Sequence, residues 1–298
     1  MKLSKRTNST LVTIPFIASL AALLVAVPIR VYQYLKLINP TTGFFDETDF
    51  SIFVLYGIIA LAMLICIVIS YINHKSLQPV AIGKNSKVFL AVSLLMALGT
   101  AIDCVSLIAE FSDLADKAPI NISREFLFEY ISSQGGTLTL IEAVFAAISA
   151  FYFVLSGLSS INDNDGKTKF KILALSPVVW CVFRLLYRFK RTIAFINVSD
   201  LFIELFSIVM AMVFFLALAQ IRSKIDADSI FWKIYAYGLP AAVLALVCFV
   251  PRLILVVTGN PDMINPLHSL RISDLTFAVY AIYICVSATK AEPKRISE

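Results

Sequence analysis

Arg184, Arg188 and Arg191 recur at i, i+4 and i+7 in the stretch "CVFRLLYRFKR", so a helix carries all three on one face while Lys190 points elsewhere. They stand in a chain that is 59% hydrophobic, with a mean hydropathy of +0.85. Arginine's planar fork binds carboxylate or phosphate through paired N–H donors. Five acids, Asp103, Glu142, Asp200, Glu204 and Asp274, likewise fall within or at the edge of apolar segments, and Arg30, Arg252 and Arg271 complete the set. Ionisable groups in membrane segments turn toward a bundle interior or a wet cavity and pair there. Three outcomes are open to such a set. It could form an outward-facing pocket for a small anionic or zwitterionic ligand. It could be a set of structural ion pairs that fix helix register. It could also dock a lipid headgroup or a partner helix.

Other chemistry has little to work with. His74 and His268 fall on opposite sides of the expected membrane, and Cys66, Cys104, Cys181, Cys248 and Cys285 all lie in apolar runs without a CxxC pair. They read as small buried residues. No metal site, cofactor or catalytic residue is expected, and an enzymatic role ranks below binding. Twenty-five Lys+Arg against twenty Asp+Glu give a net charge of +5, which by itself suggests no nucleic-acid partner.

The elements that must position these charges are membrane helices. The runs 50–74, 143–162, 205–221, 234–251 and 275–289 carry no charge at all. About 20 apolar residues cross a bilayer core, and lipid cannot satisfy exposed backbone groups, so each run must be helical. Adding the runs broken by one or two charges gives eight spans, near 11–35, 51–71, 88–111, 138–161, 172–189, 201–221, 231–257 and 272–289. The expected fold is an all-α integral membrane protein of eight transmembrane helices, arranged as four helical hairpins in one domain, 1–298. The segment "ISREFLFEYISS" between the third and fourth spans has helical spacing of its apolar residues and reads as a short amphipathic helix.

Internal similarity supports the hairpins. "LVAVPIRVYQYLKLINP" aligns with "LVCFVPRLILVVTGNP", each with Pro and then Arg near one end and an Asn-Pro turn. "SPVVWCVFRLLYRF" and "GTAIDCVSLIAEF" are looser versions, the last with Asp103 where the others place arginine. Three returning helices open on an acid and an apolar run ("ETDFSIF", "SDLFIELF", "SDLTFAV"), which suits a helix N-terminus. The candidate repeats are 11–74, 88–161, 171–222 and 231–290.

Lysine and arginine crowd one set of connecting segments (Lys2, Lys5 and Arg6; Lys75, Lys84 and Lys87; Lys167, Lys169 and Lys171; Arg222 and Lys224; Lys290, Lys294 and Arg295). The alternate loops hold Asp46, Glu47, Asp49 and the acidic stretch 110–129. The positive-inside bias then places both termini in the cytoplasm of a multi-pass cell-membrane protein. At ~1.5 Å per residue, Asp103 lies ~24 Å beyond Lys87 and Arg252 ~28 Å beyond Lys233. Arg30, Glu142, Arg184, Glu204 and Asp274 fall at a similar depth, which puts this set in the outer third of the core.

The stretches "NPTTGFF", "LSPVVWCVFRLLYRF" and "DLFIELFSIVMAMVFFLALA" resemble uncharacterised polytopic membrane proteins of anaerobic Gram-positive bacteria. That resemblance covers most of the chain and implies an all-helical protein of the bacterial inner membrane. It carries no activity, substrate or residue role. The partners implied by the whole reading are the lipid bilayer, a small anion at the outer side and a possible membrane-protein partner. Its alternative is an accessory or scaffold subunit whose charges are structural. Reporter fusions within 110–129 should report the outer compartment, and a cytoplasmic signal there would overturn the topology.

Overall fold

The computed structural model describes residues 8–40, 44–77, 83, 86–118, 124–161, 171–192, 198–223, 225, 227–264 and 270–290. Among them the fold is all-helical, with eight helices long and apolar enough to cross a membrane. In chain order these are α1 (Asn8–Lys36), α2 (Phe50–Ile72), α3 (Lys87–Asp116), α5 (Gly136–Ser159), α6 (Ser176–Thr192) with the 3-10 turn Ile172–Leu175 that leads into it, α7 (Val198–Arg222), α9 (Lys233–Val257) and α10 (Ile272–Lys290). Two short helices, α4 (Arg124–Ser133) and α8 (Ala227–Ile230), lie in connections. The α4 helix is the one its apolar spacing anticipates; it leaves Phe126 and Phe128 exposed while Ile131 is buried against the bundle.

Local signals set the helix starts. Asp49 precedes α2 with extended backbone, and its carboxylate accepts from the Ser51 backbone N–H at 2.7 Å. Bonds from the Ser51 hydroxyl and then its N–H hold the Asp49 carboxyl below the usual carboxylate range. Ser86 caps α3 in the same way, accepting from Phe89 N–H at 3.1 Å. Asp274 sits in the first turn of α10, but its carboxylate is taken by Arg184 of α6. Long-range pairing has overridden capping there.

Six helices form a closed order of neighbours: α3 packs on α5, α5 on α6, α6 on α7, α7 on α9, α9 on α10 and α10 on α3. Helices α1 and α2 pack on each other and both lie against α9. That placement explains why α9 is the most buried span, whereas α2 presents Phe53, Leu61 and Leu64 outward as a lipid-facing helix does. The ring is filled by aromatic side chains. Phe153 of α5 meets Phe215 of α7 at 5.8 Å and Tyr280 of α10 at 5.3 Å, and Phe277 meets Phe215 at 5.3 Å. Two of these three pairs meet edge-on, a geometry that ring quadrupoles favour.

Small residues let the backbones close up where no hydrophobic force between helices helps them. Gly99 of α3 faces Thr276 of α10 with no room for a side chain. A methyl on Gly238 of α9 would stand 2.8 Å from the Phe214 ring and 3.0 Å from Cys285 Sγ. Gly238→Val should therefore cost ~1–3 kcal/mol by overpacking, read as a lower melting temperature in detergent. An unchanged melt would contradict this packing.

Candidate charged site

The charged layer forms where α1, α3, α6 and α9 finish and α2, α5, α7 and α10 begin. Helical periodicity puts Arg184 and Arg188 one turn apart on the ring-facing side of α6, and both are buried. Arg184 Nη2 donates to Asp274 Oδ1 at 2.7 Å, across the ring. Arg188 Nε lies 3.4 Å from Glu204 Oε2 of α7, while Arg252 Nη1 of α9 donates to Glu204 Oε1 at 2.7 Å. One carboxylate thus stands between two guanidinium groups from two helices. Arg271, just ahead of α10, donates to Glu142 of α5 at 2.6 Å. Ser273 donates a short hydrogen bond to Asp103 of α3. Arg184 Nη1 lies 3.5 Å from the same Ser273 hydroxyl.

The layer reaches the outer pair as well. Arg252 Nε donates to the Tyr34 hydroxyl of α1 at 3.3 Å. Arg30 lies over the Tyr34 ring at 4.9 Å and donates to Gln33, whose amide reaches Ser51 of α2 at 3.4 Å. At the edge of the layer Tyr187 donates to Glu110 at 2.7 Å.

Eight of the ten residues singled out in the sequence are therefore gathered in one layer: Arg30, Asp103, Glu142, Arg184, Arg188, Glu204, Arg252 and Asp274. The side chains of Arg191 and Asp200 lie outside the described residues. None of the eight is more than 8% exposed. This conformation presents a closed layer, where the sequence suggested an outward-facing pocket, because each acid has been drawn onto an arginine or a hydroxyl from another helix. Periodicity alone did not point to Tyr34, Gln33, Ser273 or Tyr187. Only the general rule that buried charges recruit polar neighbours bears on them.

Closure is incomplete at one point. Trp180, Arg184, Ser207, Asp274 and Phe277 line a void beside the Arg184–Asp274 pair, with ≈ 10 Å³ open to a water's centre. That is room for about one water. Trp180 Nε1 and Arg184 Nε are buried without an acceptor. Glu142 Oε2 is a buried acceptor without a donor. Among the described residues the layer holds five buried arginines and four buried acids, counting Arg271. A much larger groove of ≈ 610 Å³ opens between α2, α7 and α9, but its walls are apolar side chains such as Met63, Ile67 and Phe206. It has the character of lipid-facing surface and takes no part in the charged layer.

No protein-family model matches the chain, and no match is found among curated proteins or solved structures. The functional reading rests on this geometry.

Removing one member of a buried pair strands the other, which costs ~3–5 kcal/mol, whereas replacing both with apolar groups costs much less. Asp274→Asn should be strongly destabilising, and Arg184→Leu with Asp274→Leu should recover most of the loss. A double-mutant cycle in detergent measures the coupling, and additive effects would show that the two side chains act independently.

Proposed function

We propose that this polytopic membrane protein binds a small anionic or zwitterionic ligand in the charged layer, with transport of that ligand as the wider role. The observation that carries the reading is the pair of buried donors, Arg184 Nε and Trp180 Nε1, at the edge of a void in a layer that has more buried arginines than buried acids among the described residues. A buried donor without an acceptor is costly, and an anion or the carboxylate of a zwitterion supplies the acceptor. Asp274 on the same void offers a partner for an ammonium group. The void takes about one water in this conformation, so a larger ligand requires the layer to part. Under this proposal the layer faces the outer side of a cell membrane, both termini are cytoplasmic, and the four hairpin units act as one transmembrane domain.

A second reading has its own support. Each of the four buried carboxylates of the layer accepts from an arginine or serine of another segment. A scaffold or accessory subunit whose charges fix helix register, and which works by holding a membrane-protein partner, fits that closure.

Chloride, acetate and glycine titrated into purified full-length protein distinguish the two. Ligand binding predicts saturable thermal stabilisation by at least one of them. It also predicts about two- to tenfold weaker binding in Trp180→Phe, which removes only the indole donor and keeps an aromatic ring. No saturable stabilisation by any of the three would overturn the ligand reading, and isolation from native membranes as a stoichiometric complex would then support the scaffold.

A further inference from the structure

Opposite the charged layer, at the other end of the same ring, α7 ends on Arg222. Four helices converge there. The guanidinium lies over the Phe89 ring of α3 at 5.0 Å and makes a short hydrogen bond to the Ser156 hydroxyl of α5. The Tyr152 hydroxyl of α5 accepts from it as well, and Tyr280 of α10 lies close enough to act on its charge. The floor of this cluster is buried: Tyr280 is 0% exposed and Tyr152 and Ser156 are 5% exposed, while Arg222 itself remains partly accessible. Among the described residues no carboxylate pairs with Arg222, in contrast to the arginines paired with acids in the charged layer.

Among the described residues the cluster is consequently a cation with a set of hydroxyls and no counter-charge. A cation–π contact contributes only ~0.5–2 kcal/mol and supplies no opposite charge. The buried Tyr280 hydroxyl has no hydrogen-bond partner. Arginine donors beside an unsatisfied phenol need a group with several acceptor oxygens, and a phosphoryl group meets both. The surroundings favour the same charge, since α3 and α9 begin at this end on Lys87 and Lys233.

We infer that Arg222, Tyr280, Tyr152 and Ser156 form a second anion site, at the end of the ring opposite the charged layer, which takes a phosphoryl group. Two sources offer that chemistry, the headgroup of a phospholipid entering from the adjacent leaflet and free phosphate from the aqueous side. The Phe89 ring keeps the guanidinium in the ring interior, and the tyrosine hydroxyl donates to a phosphoryl oxygen once it arrives. This site needs nothing from the charged layer and stands whether or not that layer binds a ligand.

The test uses full-length protein in two arms. Delipidated protein in detergent is titrated with inorganic phosphate and followed by thermal stabilisation. Protein from phosphatidylglycerol nanodiscs is examined by native mass spectrometry for retained phospholipid. Saturable stabilisation by phosphate supports a free oxyanion, and retained phospholipid without phosphate stabilisation supports a headgroup. In whichever arm binds, Arg222→Gln should weaken binding at least ~tenfold and Tyr280→Phe about two- to tenfold. The phenylalanine variant keeps the ring and loses only the hydroxyl, so it carries the test if Arg222→Gln fails to assemble. Absence of binding in both arms, or affinity in Tyr280→Phe within error of the parent, overturns the site.

Discussion

A charge inside a membrane bundle cannot be left alone, and that constraint organises this molecule. Arg252 of α9 reaches Glu204 of α7 and Tyr34 of α1; Glu204 also meets Arg188 of α6; Arg184 of α6 reaches Asp274 of α10; Ser273 of α10 holds Asp103 of α3; Arg271 holds Glu142 of α5. Gln33 of α1 extends the same chain of contacts to Ser51 of α2. All eight spans are thus tied together at one level by polar contacts. Hydrophobic packing could not supply this, because lipid tails are as apolar as the leucines that face them. Sliding a helix by one turn would carry its charge ~5 Å from its partner and strand both. The layer acts as a register lock, while the aromatic fill around Phe153, Phe215 and Tyr280 supplies the van der Waals contact.

How much of this was legible in the sequence follows from which interactions are local. The spans were, because a bilayer demands charge-free helical runs of fixed length, and runs such as 50–74 and 234–251 satisfy that demand without reference to the rest of the chain. That the charges share one level was legible too, since residue count converts to distance along a helix. The i, i+4 spacing of Arg184 and Arg188 correctly placed them on one interior face. The partners were not legible. Glu142 and Arg271 lie 129 residues apart, Arg184 and Asp274 lie 90 apart, and nothing local tells Asp274 to leave its helix-capping role for an arginine on another span. The interior of the ring is a tertiary property.

Arg222 shows the same limit from the other side. In the sequence it is one of several cations that flank spans and bear on orientation. Folding turns it toward Phe89 and Ser156 instead, so one residue serves both as part of the orientation bias and as part of the interior. A flanking cation and an interior cation share the same residue type and the same position at the end of a helix. Only the elements packed around it separate them, here Tyr152 on α5 and Tyr280 on α10.

The two ends of the ring therefore differ in how charge is satisfied, and the difference bears on motion. At the charged layer the compensation is internal. Parting the helices there separates opposite charges, and a ligand can open that end only by binding the parted arrangement more tightly than the closed one. Glu204 is the point of greatest leverage, because a single carboxylate holds two guanidinium groups from α6 and α9. An anion that took its place beside either arginine would leave the other pairing intact, so the layer can exchange one contact without losing every contact. At the Arg222 end, among the described residues, no acid pairs with the guanidinium, which meets Ser156 and the Phe89 ring instead. The first end resists opening because parting it separates paired charges; at the second the guanidinium meets a hydroxyl and an aromatic face instead of an acid. Between them lies the aromatic fill, uncharged and closely packed, which separates the two ends within a single ring.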